Sequence, residues 1–244
     1  MARNAPIIII PARLGSKRLP SKPLLKINGE ALILHVWRQA QEADIAPVYV
    51  ATDSETVANI ILNKGGKALI TRKDHASGSD RIFDALTSLD PQGQFDKIIN
   101  LQGDQLGLSR HALTKVLALL DNPVVDIGTL AATFTPSQAN DPNVVKVIAT
   151  LESSDRGRAM YFTRGPAPWG KGPMLRHIGV YAFKRHSLSR FSTLAPSLLE
   201  RREKLEQLRA LEAGMRIDLA LVDHSGLSVD THKDIESLNL GLVD

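Results

Sequence analysis

The sequence predicts an α/β fold in which a mixed, mainly parallel sheet carries helices on both faces. Up to about residue 135, short β-branched runs alternate with segments whose apolar residues recur at helical spacing, as in a doubly wound sheet. The first strand contains four consecutive isoleucines, Ile7 to Ile10, which suits a strand buried on both faces. Beyond residue 135, strands follow one another and indicate a smaller α+β lobe. We predict one domain over residues 1–244, with halves of about 1–135 and 136–244.

The composition excludes several classes of protein. The 244 residues are 43% hydrophobic and 23% charged, as in an ordinary globular protein with a substantial core. The chain has no cysteine, which excludes disulfides, thiolate zinc sites and cysteine nucleophiles. Its net charge is +4, but aromatic residues make up only 5% and do not interleave with basic ones, so we expect no nucleic-acid partner. No apolar run has the length of a signal peptide or membrane span, and we expect a cytoplasmic protein without membrane insertion.

The first strand leads into a basic loop that contains a glycine. Four cations follow within ten residues, and no carboxylate precedes Glu30: Arg13, Lys17, Arg18 and Lys22. So many like charges repel one another unless an anion lies among them. Because the loop leaves the carboxyl end of a parallel strand, its donors are suited to a polyphosphate.

Further elements are assigned from periodicity and turn residues. Asn28-Gly29 marks a tight turn before the first helix. The other strands are predicted at residues 47–51, 68–71, 97–101, 128–134, 144–149, 175–183 and 217–222. A short helix is predicted near 156–162. Another helix opens at Ser197, which has a capping-box spacing to Glu200, and ends at Gly214. Thr231 with Asp234 has the spacing to cap the final helix.

Three polar groups of the first half follow predicted strands. Thr52 and Asp53 either cap the next helix or face a ligand. Ser77 and Asp80 have the spacing of a capping box, although Ser77 can also face a ligand. Asp104 follows a strand and a glycine, so it is either a turn residue or a ligand for a hard cation such as Mg²⁺.

The second half offers a second set of polar candidates. His177 and Tyr181 share one face of a predicted strand, where a lone histidine is either a core residue or a ligand-binding group. With Arg164 nearby, a site for a carboxylated sugar becomes a hypothesis. Glu206 and Gln207 belong to a charged stretch that also suits a solvated helix face.

Four motifs occur in a fixed order along nearly the whole chain: PARxxSxRLPxKPL, QGD, RHxGxY with LEQLR, and VDT. In these motifs the sequence resembles the 3-deoxy-manno-octulosonate (Kdo) cytidylyltransferases, which join Kdo to CTP and release pyrophosphate for lipopolysaccharide biosynthesis. The resemblance implies a Rossmann-like nucleotidyltransferase fold, Mg²⁺ dependence and a homodimer. It also implies a nucleotide-binding first half and a second half for sugar binding and dimerisation.

The resemblance assigns roles to individual residues. The implied nucleotide-binding residues are Pro11, Ala12, Arg13, Ser16, Lys17, Arg18, Lys22, Ala51, Thr52, Asp53, Arg72, Ser77, Gly78 and Gln102. The implied sugar-binding residues are Gln102, Arg164, His177, Tyr181, Glu206 and Gln207. Asp104 and Asp230 are the implied metal ligands, and the catalytic set is Arg13, Arg18, Lys22, Asp104 and Asp230.

Two departures from the family pattern leave alternatives open. Leu106-Gly107 stands where the family has a proline, which predicts a less rigid loop, and His232 replaces another proline after VDT. The alternatives are a cytidylyltransferase for 8-amino-Kdo or a sialic acid, a uridylyl- or guanylyltransferase for a sugar phosphate, and a non-catalytic nucleotide-binding regulator.

Overall fold

The alternation of strands and helices predicted for the first half is present in the computed structural model, which describes residues 5–15, 19–224 and 226–240. The strands are β1 (Ala5–Ala12), β2 (Lys26–Ile27), β3 (Glu30–Ala31), β4 (Val48–Thr52), β5 (Ala68–Ile70), β6 (Phe95–Leu101), β7 (Gln105–Leu106), β8 (Ile127–Phe134), β9 (Lys146–Leu151), β10 (Arg156–Thr163), β11 (Met174–Lys184), β12 (Ile217–Leu221) and β13 (Leu227–Ser228). The helices are α1 (Leu32–Ala43), α2 (Glu55–Leu62), α3 (Gly78–Leu89), α4 (Arg110–Ala118), α5 (Arg185–Thr193), α6 (Leu198–Glu203), α7 (Gln207–Glu212) and α8 (His232–Asn239).

The chain divides into two units, Met1–Arg110 with Gly226–Asp244, and His111–Ser225. Because residues 226–244 belong to the first unit, Asp230 lies in the same unit as Asp104. The prediction that both halves form one domain stays a prediction. Within the described ranges, no helix combines the length and apolar character needed to cross a bilayer.

The first unit is built on parallel strands in the order β5-β4-β1-β6. Ile7 to Ile10 are completely buried, as predicted, because β1 has a strand on each side and both of its faces are covered. The turn between β2 and β3 has Asn28 at φ 49° and Gly29 at φ 83°. Positive φ at both positions is what a two-residue hairpin of this type requires.

The second unit has a mixed sheet in the order β11-β8-β12-β10-β9, and β9 also pairs with β11 at one position. Among the pairings described within this unit, that of β8 with β12 is parallel and the others are antiparallel. The α/β class and mixed sheet are thus as predicted. The pairings among β5, β4, β1 and β6 are all parallel, whereas those described within the second unit are mostly antiparallel.

The predicted short helix near residues 156–162 is wrong, because this segment is strand β10. Its burial alternates, with Arg158 and Met160 exposed and Ala159 buried. A Cβ atom on Gly157 would lie 2.5 Å from the carbonyl oxygen of Thr150 on β9. Residues 156–162 are extended because β9 packs this closely against them. Such a contact with a neighbouring strand cannot be read from the spacing of apolar residues.

The predicted helix from Ser197 to Gly214 is present as two short helices. Its predicted capping box is confirmed, since Ser197 and Glu200 bond each other's backbone N–H groups. Lys204 has a left-handed conformation, φ 56°, which ends α6 before α7 begins. Leu208 is fully buried, and Arg209 of α7 donates to the Glu200 carboxylate at 2.7 Å.

Candidate active site

A cleft of about 300 Å³ lies in the first unit, at the carboxyl ends of β1 and β6. Eight of the predicted residues are among those that line it: Pro11, Ala12, Arg13, Lys22, Ser77, Gly78, Gln102 and Asp104. Carboxyl ends of parallel strands are the usual position of a ligand site in such sheets. Ser16, Lys17 and Arg18 lie outside the described residues.

Asp104 enters this cleft because the chain passes close to β1. A Cβ atom on Gly103 would lie 2.7 Å from the carbonyl oxygen of Pro11, so only glycine fits here without a backbone shift. Val229 then donates its backbone N–H to the Asp104 carbonyl oxygen at 3.0 Å. This bond holds the C-terminal segment beside the end of β6.

The two predicted metal ligands meet at one ammonium group. Lys22 Nζ contacts Asp104 Oδ2 and lies 3.6 Å from Asp230 Oδ1. The three side chains are 13%, 28% and 22% exposed, so the ion pairs are partly shielded from water. Residues 82 and more positions apart in sequence thus form one site, in which two carboxylates are arranged around a positive charge.

The segments that carry these carboxylates are tied together by a small antiparallel sheet. Leu106 of β7 pairs with Leu227 of β13, and a Cβ atom on Gly226 would lie 2.2 Å from the Leu106 carbonyl oxygen. Of the Leu106-Gly107 departure from the family pattern, Leu106 is therefore paired, and Gly107 directly follows the strand with φ 73°.

Helix α8 fixes the position of Asp230. Thr231 caps α8 and forms a capping box with Asp234, which also accepts from the Asp230 backbone N–H at 2.8 Å. His232 is the first residue of this helix, a position at which proline is common because its N–H has no partner within the helix.

Ser77 has the capping role predicted from its spacing. It forms a capping box with Asp80 at the start of α3, and it also lines the cleft. The two interpretations of Ser77 are thus compatible in the structure.

Gln102 is oriented by a buried amide. Its Nε2 donates to Asn100 Oδ1 at 3.1 Å, and Asn100 is fully buried. The Gln102 side chain also approaches Gly78, so its carbonyl oxygen is held at the cleft wall.

Asp53 does not cap the next helix, which was one of its two predicted roles, and its nucleotide-binding role stays a prediction. Ser54, not Thr52 or Asp53, caps α2, and the Asp53 carboxylate accepts from the backbone N–H of Leu14 at 3.2 Å and from Arg81 at 3.3 Å. Thr52 and Ala51 are buried and Arg72 is exposed. These three side chains are absent from the described lining of the cleft.

Arg81 is a cleft residue that the sequence analysis did not select. It is 1% exposed, and burial lowers the pKa of its guanidinium, with the nearby charge of Arg13 acting in the same direction and Asp53 opposing both. Its position four residues after Ser77, on the same face of α3, was the available signal.

Five predicted sugar-binding residues lie in the second unit. The Arg164 side chain forms hydrogen bonds within the protein. Its Nε donates to the carbonyl oxygen of Glu203 at 2.9 Å, and its Nη1 donates to that of Pro142 at 2.7 Å. Gln207 is 3% exposed, and its Nε2 has no hydrogen-bond partner among the described residues. An unpaired buried donor costs free energy, so this amide is suited to a ligand acceptor.

His177 and Tyr181 are adjacent in space on β11, with ring centroids 5.4 Å apart. Burial lowers the pKa of His177 to about 3. Burial, together with the charge of Glu206, raises the pKa of Tyr181. Both side chains are therefore neutral near pH 7.

No group of three or more His, Asp or Glu side chains suited to a metal ion occurs in the part of the chain that the structure describes. A cation in the cleft would therefore take two carboxylates from the protein and its other ligands from substrate or water.

The family model for cytidylyltransferases matches residues 7–217 of the chain. The chain belongs to the cytidylyltransferase family. The matched range contains Arg13, Lys22 and Asp104 of the cleft together with His177 and Tyr181.

Two curated cytidylyltransferases illustrate the similarity. The chain is 53% identical to a 3-deoxy-manno-octulosonate cytidylyltransferase of Methylobacterium radiotolerans over 232 residues, which cover 95% of this chain and 94% of the relative. It is 51% identical to the enzyme of the same name from Rhodopseudomonas palustris, with 97% of both chains covered.

Solved structures agree with this assignment. CMP:2-keto-3-deoxy-manno-octonic acid synthetase complexed with CTP superposes with a TM-score of 0.88, at 36% identity and with 98% of each chain covered. A 4-diphosphocytidyl-2C-methyl-D-erythritol synthase from Anaerococcus prevotii superposes with a TM-score of 0.64 at 12% identity, with 99% of both chains covered. The latter likeness concerns the fold alone.

Proposed function

We propose that this protein transfers the cytidylyl group of CTP to Kdo, giving CMP-Kdo and pyrophosphate. The observation that carries the proposal is the convergence of Lys22, Asp104 and Asp230 beside the loop that leaves β1. The named activity of relatives more than 50% identical over almost the whole chain supports the choice of CTP and Kdo as substrates.

The cleft of the first unit binds the nucleotide. Arg13 and Lys22 bring positive charge to the triphosphate, and Ser77 and Gly78 bring the N-terminus of α3 close to it. Lys17 and Arg18 belong to the same proposed set. Asp53 positions this loop by accepting a hydrogen bond from the Leu14 backbone N–H, and Arg81 in turn donates to the Asp53 carboxylate.

Asp104 and Asp230 hold Mg²⁺ in this proposal. The fit is supported by their arrangement around the Lys22 ammonium, since two carboxylates that enclose one cation have the charge to hold another. When bound, Mg²⁺ neutralises phosphate charge and lowers the pKa of a coordinated hydroxyl.

The reaction is an in-line displacement at the α-phosphorus of CTP. The anomeric hydroxyl oxygen of Kdo forms the new P–O bond, the bond to the β-phosphate oxygen breaks, and the hydroxyl proton leaves to solvent. Negative charge accumulates on the pyrophosphate, and the cations of the cleft, Arg13 and Lys22 among them, stabilise it.

The predicted residues of the second unit bind the sugar acid, and the sugar-binding role of Gln102 in the first unit stays a prediction from the sequence. His177 and Tyr181 offer neutral hydrogen-bonding groups, and the unpaired Nε2 of Gln207 offers a donor. Arg164 and Glu206 complete the proposed set. Since the described bonds of Arg164 use backbone carbonyls, we assign it the positioning of the segment around Glu203 as well.

We also propose that the enzyme works as a homodimer in the cytoplasm, where nucleoside triphosphates are made. Exposed apolar side chains in the second unit, Leu151, Met160 and Leu198, support the choice of this unit for the subunit contact.

The test is pyrophosphate release with each of the four nucleoside triphosphates, with and without Mg²⁺, and with Kdo, 8-amino-Kdo or a sialic acid. We expect release only when CTP, Kdo and Mg²⁺ are all present. Faster release with another sugar acid would reassign the substrate. If no combination releases pyrophosphate, the protein is not a nucleotidyltransferase.

A further inference from the structure

The hydroxyl of Thr129 in β8 contacts three groups of β11. Its Oγ1 lies 2.9 Å from His177 Nε2, 2.8 Å from the carbonyl oxygen of Val180 and 3.4 Å from that of Ile178. Thr129 is fully buried, so these groups are its hydrogen-bonding environment.

The protons of this cluster can be assigned from chemistry. A hydroxyl has one proton to donate, and a carbonyl oxygen can only accept. The Thr129 hydroxyl therefore donates its hydrogen bond to the carbonyl oxygen of Val180, the nearer of the two carbonyls. An oxygen lone pair then faces His177, so Nε2 of the imidazole must carry the hydrogen.

The strand geometry explains why two carbonyl groups reach Thr129. The pairing of β11 with β8 shifts register between Ile178 and Tyr181. In such a bulge, the extra residues have no paired residue on the neighbouring strand, and their backbone groups point in new directions. The Val180 carbonyl is redirected in this way onto the Thr129 side chain.

The other imidazole nitrogen is available for a ligand. His177 Nδ1 has no hydrogen-bond partner among the described residues, and the residue is partly exposed. The ring is also held in orientation by Phe162, edge to face at 5.0 Å, and by Tyr181 at 5.4 Å. The side chains packed around the ring desolvate the imidazole and lower its pKa to about 3, so it is neutral near pH 7.

A neutral imidazole with its hydrogen on Nε2 presents a lone pair at Nδ1. Such a group accepts a hydrogen bond from a hydroxyl, whereas a carboxylate would place its own lone pair against it. Building on the proposed function, we propose that Thr129 is a positioning residue which holds His177 in this tautomer, so that Nδ1 accepts a hydrogen bond from a sugar hydroxyl of Kdo. The carboxylate of the sugar acid is then bound by other groups.

The tautomer is read directly by ¹⁵N NMR of the full-length protein. The chain has seven histidines, and the His177 signals are assigned by their loss in His177→Gln. In the unsubstituted protein and in Thr129→Ser, we expect a protonated Nε2 and an unprotonated Nδ1 at pH 7. A protonated Nδ1 in the unsubstituted protein overturns the proposal, whatever the behaviour of the variants.

Thr129→Val removes the acceptor and preserves the shape of the side chain. We expect the His177 signals to shift toward a tautomer mixture and KM for Kdo to rise about tenfold, the loss of roughly one hydrogen bond. We expect kcat and KM for CTP to change less than about threefold, and Thr129→Ser to restore KM for Kdo. An unchanged tautomer and KM in a folded Thr129→Val protein would contradict the positioning role.

Kdo analogues that each lack one hydroxyl test the ligand side. We expect one analogue to raise KM about tenfold in the unsubstituted enzyme and to have little further effect in Thr129→Val. Equal effects of every analogue in both proteins would contradict the hydroxyl contact. Failure of the unsubstituted protein to use CTP and Kdo would reject the proposed function, while the NMR result alone would still decide the tautomer.

Discussion

In the first unit, charged side chains meet at the edge of the cleft, whereas in the second unit the adjacent side chains of His177 and Tyr181 are neutral. Lys22, Asp104 and Asp230 keep part of their surface in water, and His177 and Tyr181 are held neutral by burial. Under the proposed function, the two regions have different recognition tasks. A triphosphate with its cation needs formal charges, and the hydroxyl groups of a sugar need oriented neutral donors and acceptors.

The largest effect is expected from neutralising a carboxylate of the first unit. Asp104→Asn and Asp230→Asn should each lower kcat about 10²- to 10³-fold, because the proposed metal ligand is lost and phosphoryl transfer depends on positioned charge. Turnover with CTP and Kdo measures this, and Mn²⁺ titration followed by electron paramagnetic resonance measures the metal separately.

Asp44→Asn is the matched control for these variants. Asp44 is exposed and has φ 47° at the end of α1, a conformation that asparagine tolerates well. We expect this variant to keep full activity and metal binding. Full activity in Asp104→Asn or Asp230→Asn would remove that residue from the metal site.

An intermediate effect, on stability, is expected from the neutral histidine of the second unit. The pKa of His177 is about 3 in the folded protein and about 6.5 in an unfolded chain. The unfolded state therefore binds one more proton between these values, so stability is fully present above about pH 6.5 and is lost as the pH falls toward 3. By pH 5, the loss amounts to about 1–2 kcal/mol of unfolding free energy.

Urea unfolding at pH 7, 6 and 5 checks this prediction. In His177→Gln, the dependence on pH should be weaker by about one proton, whereas the exposed His111→Gln serves as the control. The same slope in His177→Gln and in the unsubstituted protein would show that folding does not lower the pKa of His177.

The smallest effect compares two capping boxes of equal geometry. Ser77 in the first unit and Ser197 in the second each accept from the backbone N–H of the third helical residue. Replacing either by alanine should cost about 1 kcal/mol of stability. Only Ser77→Ala should also raise KM for CTP, by about threefold, because Ser77 lines the cleft. Equal KM values for CTP in the two variants would show that Ser77 only caps α3 and does not contact the nucleotide.

Features that depend on neighbours in sequence were predictable. The buried strand at Ile7 to Ile10 follows from four consecutive β-branched residues, and the capping boxes at Ser77, Ser197 and Thr231 follow from a three-residue spacing. In each of these the interacting groups lie within one turn or one strand, so the spacing along the chain is also the spacing in space.

Features that depend on a distant strand were missed. Residues 156–162 form a strand because β9 and β12 lie beside them. Asp53 bonds Leu14 and Arg81 instead of capping α2, because the loop after β1 passes over it. Thr129 had no motif to mark it, and its importance comes from a bulge in a strand 48 residues further along.

The amino-acid sequence by itself determined the α/β class, the capping boxes that start α3, α6 and α8, and the types of residue available to hold a triphosphate and a sugar acid, since these depend on local periodicity and side-chain chemistry. Only the tertiary structure decided that Asp104 and Asp230 meet at Lys22, and that His177 is neutral and bonded to Thr129. The physical reason is that charge pairing and desolvation are set by distances and burial between segments far apart in the chain, and the folded backbone establishes both.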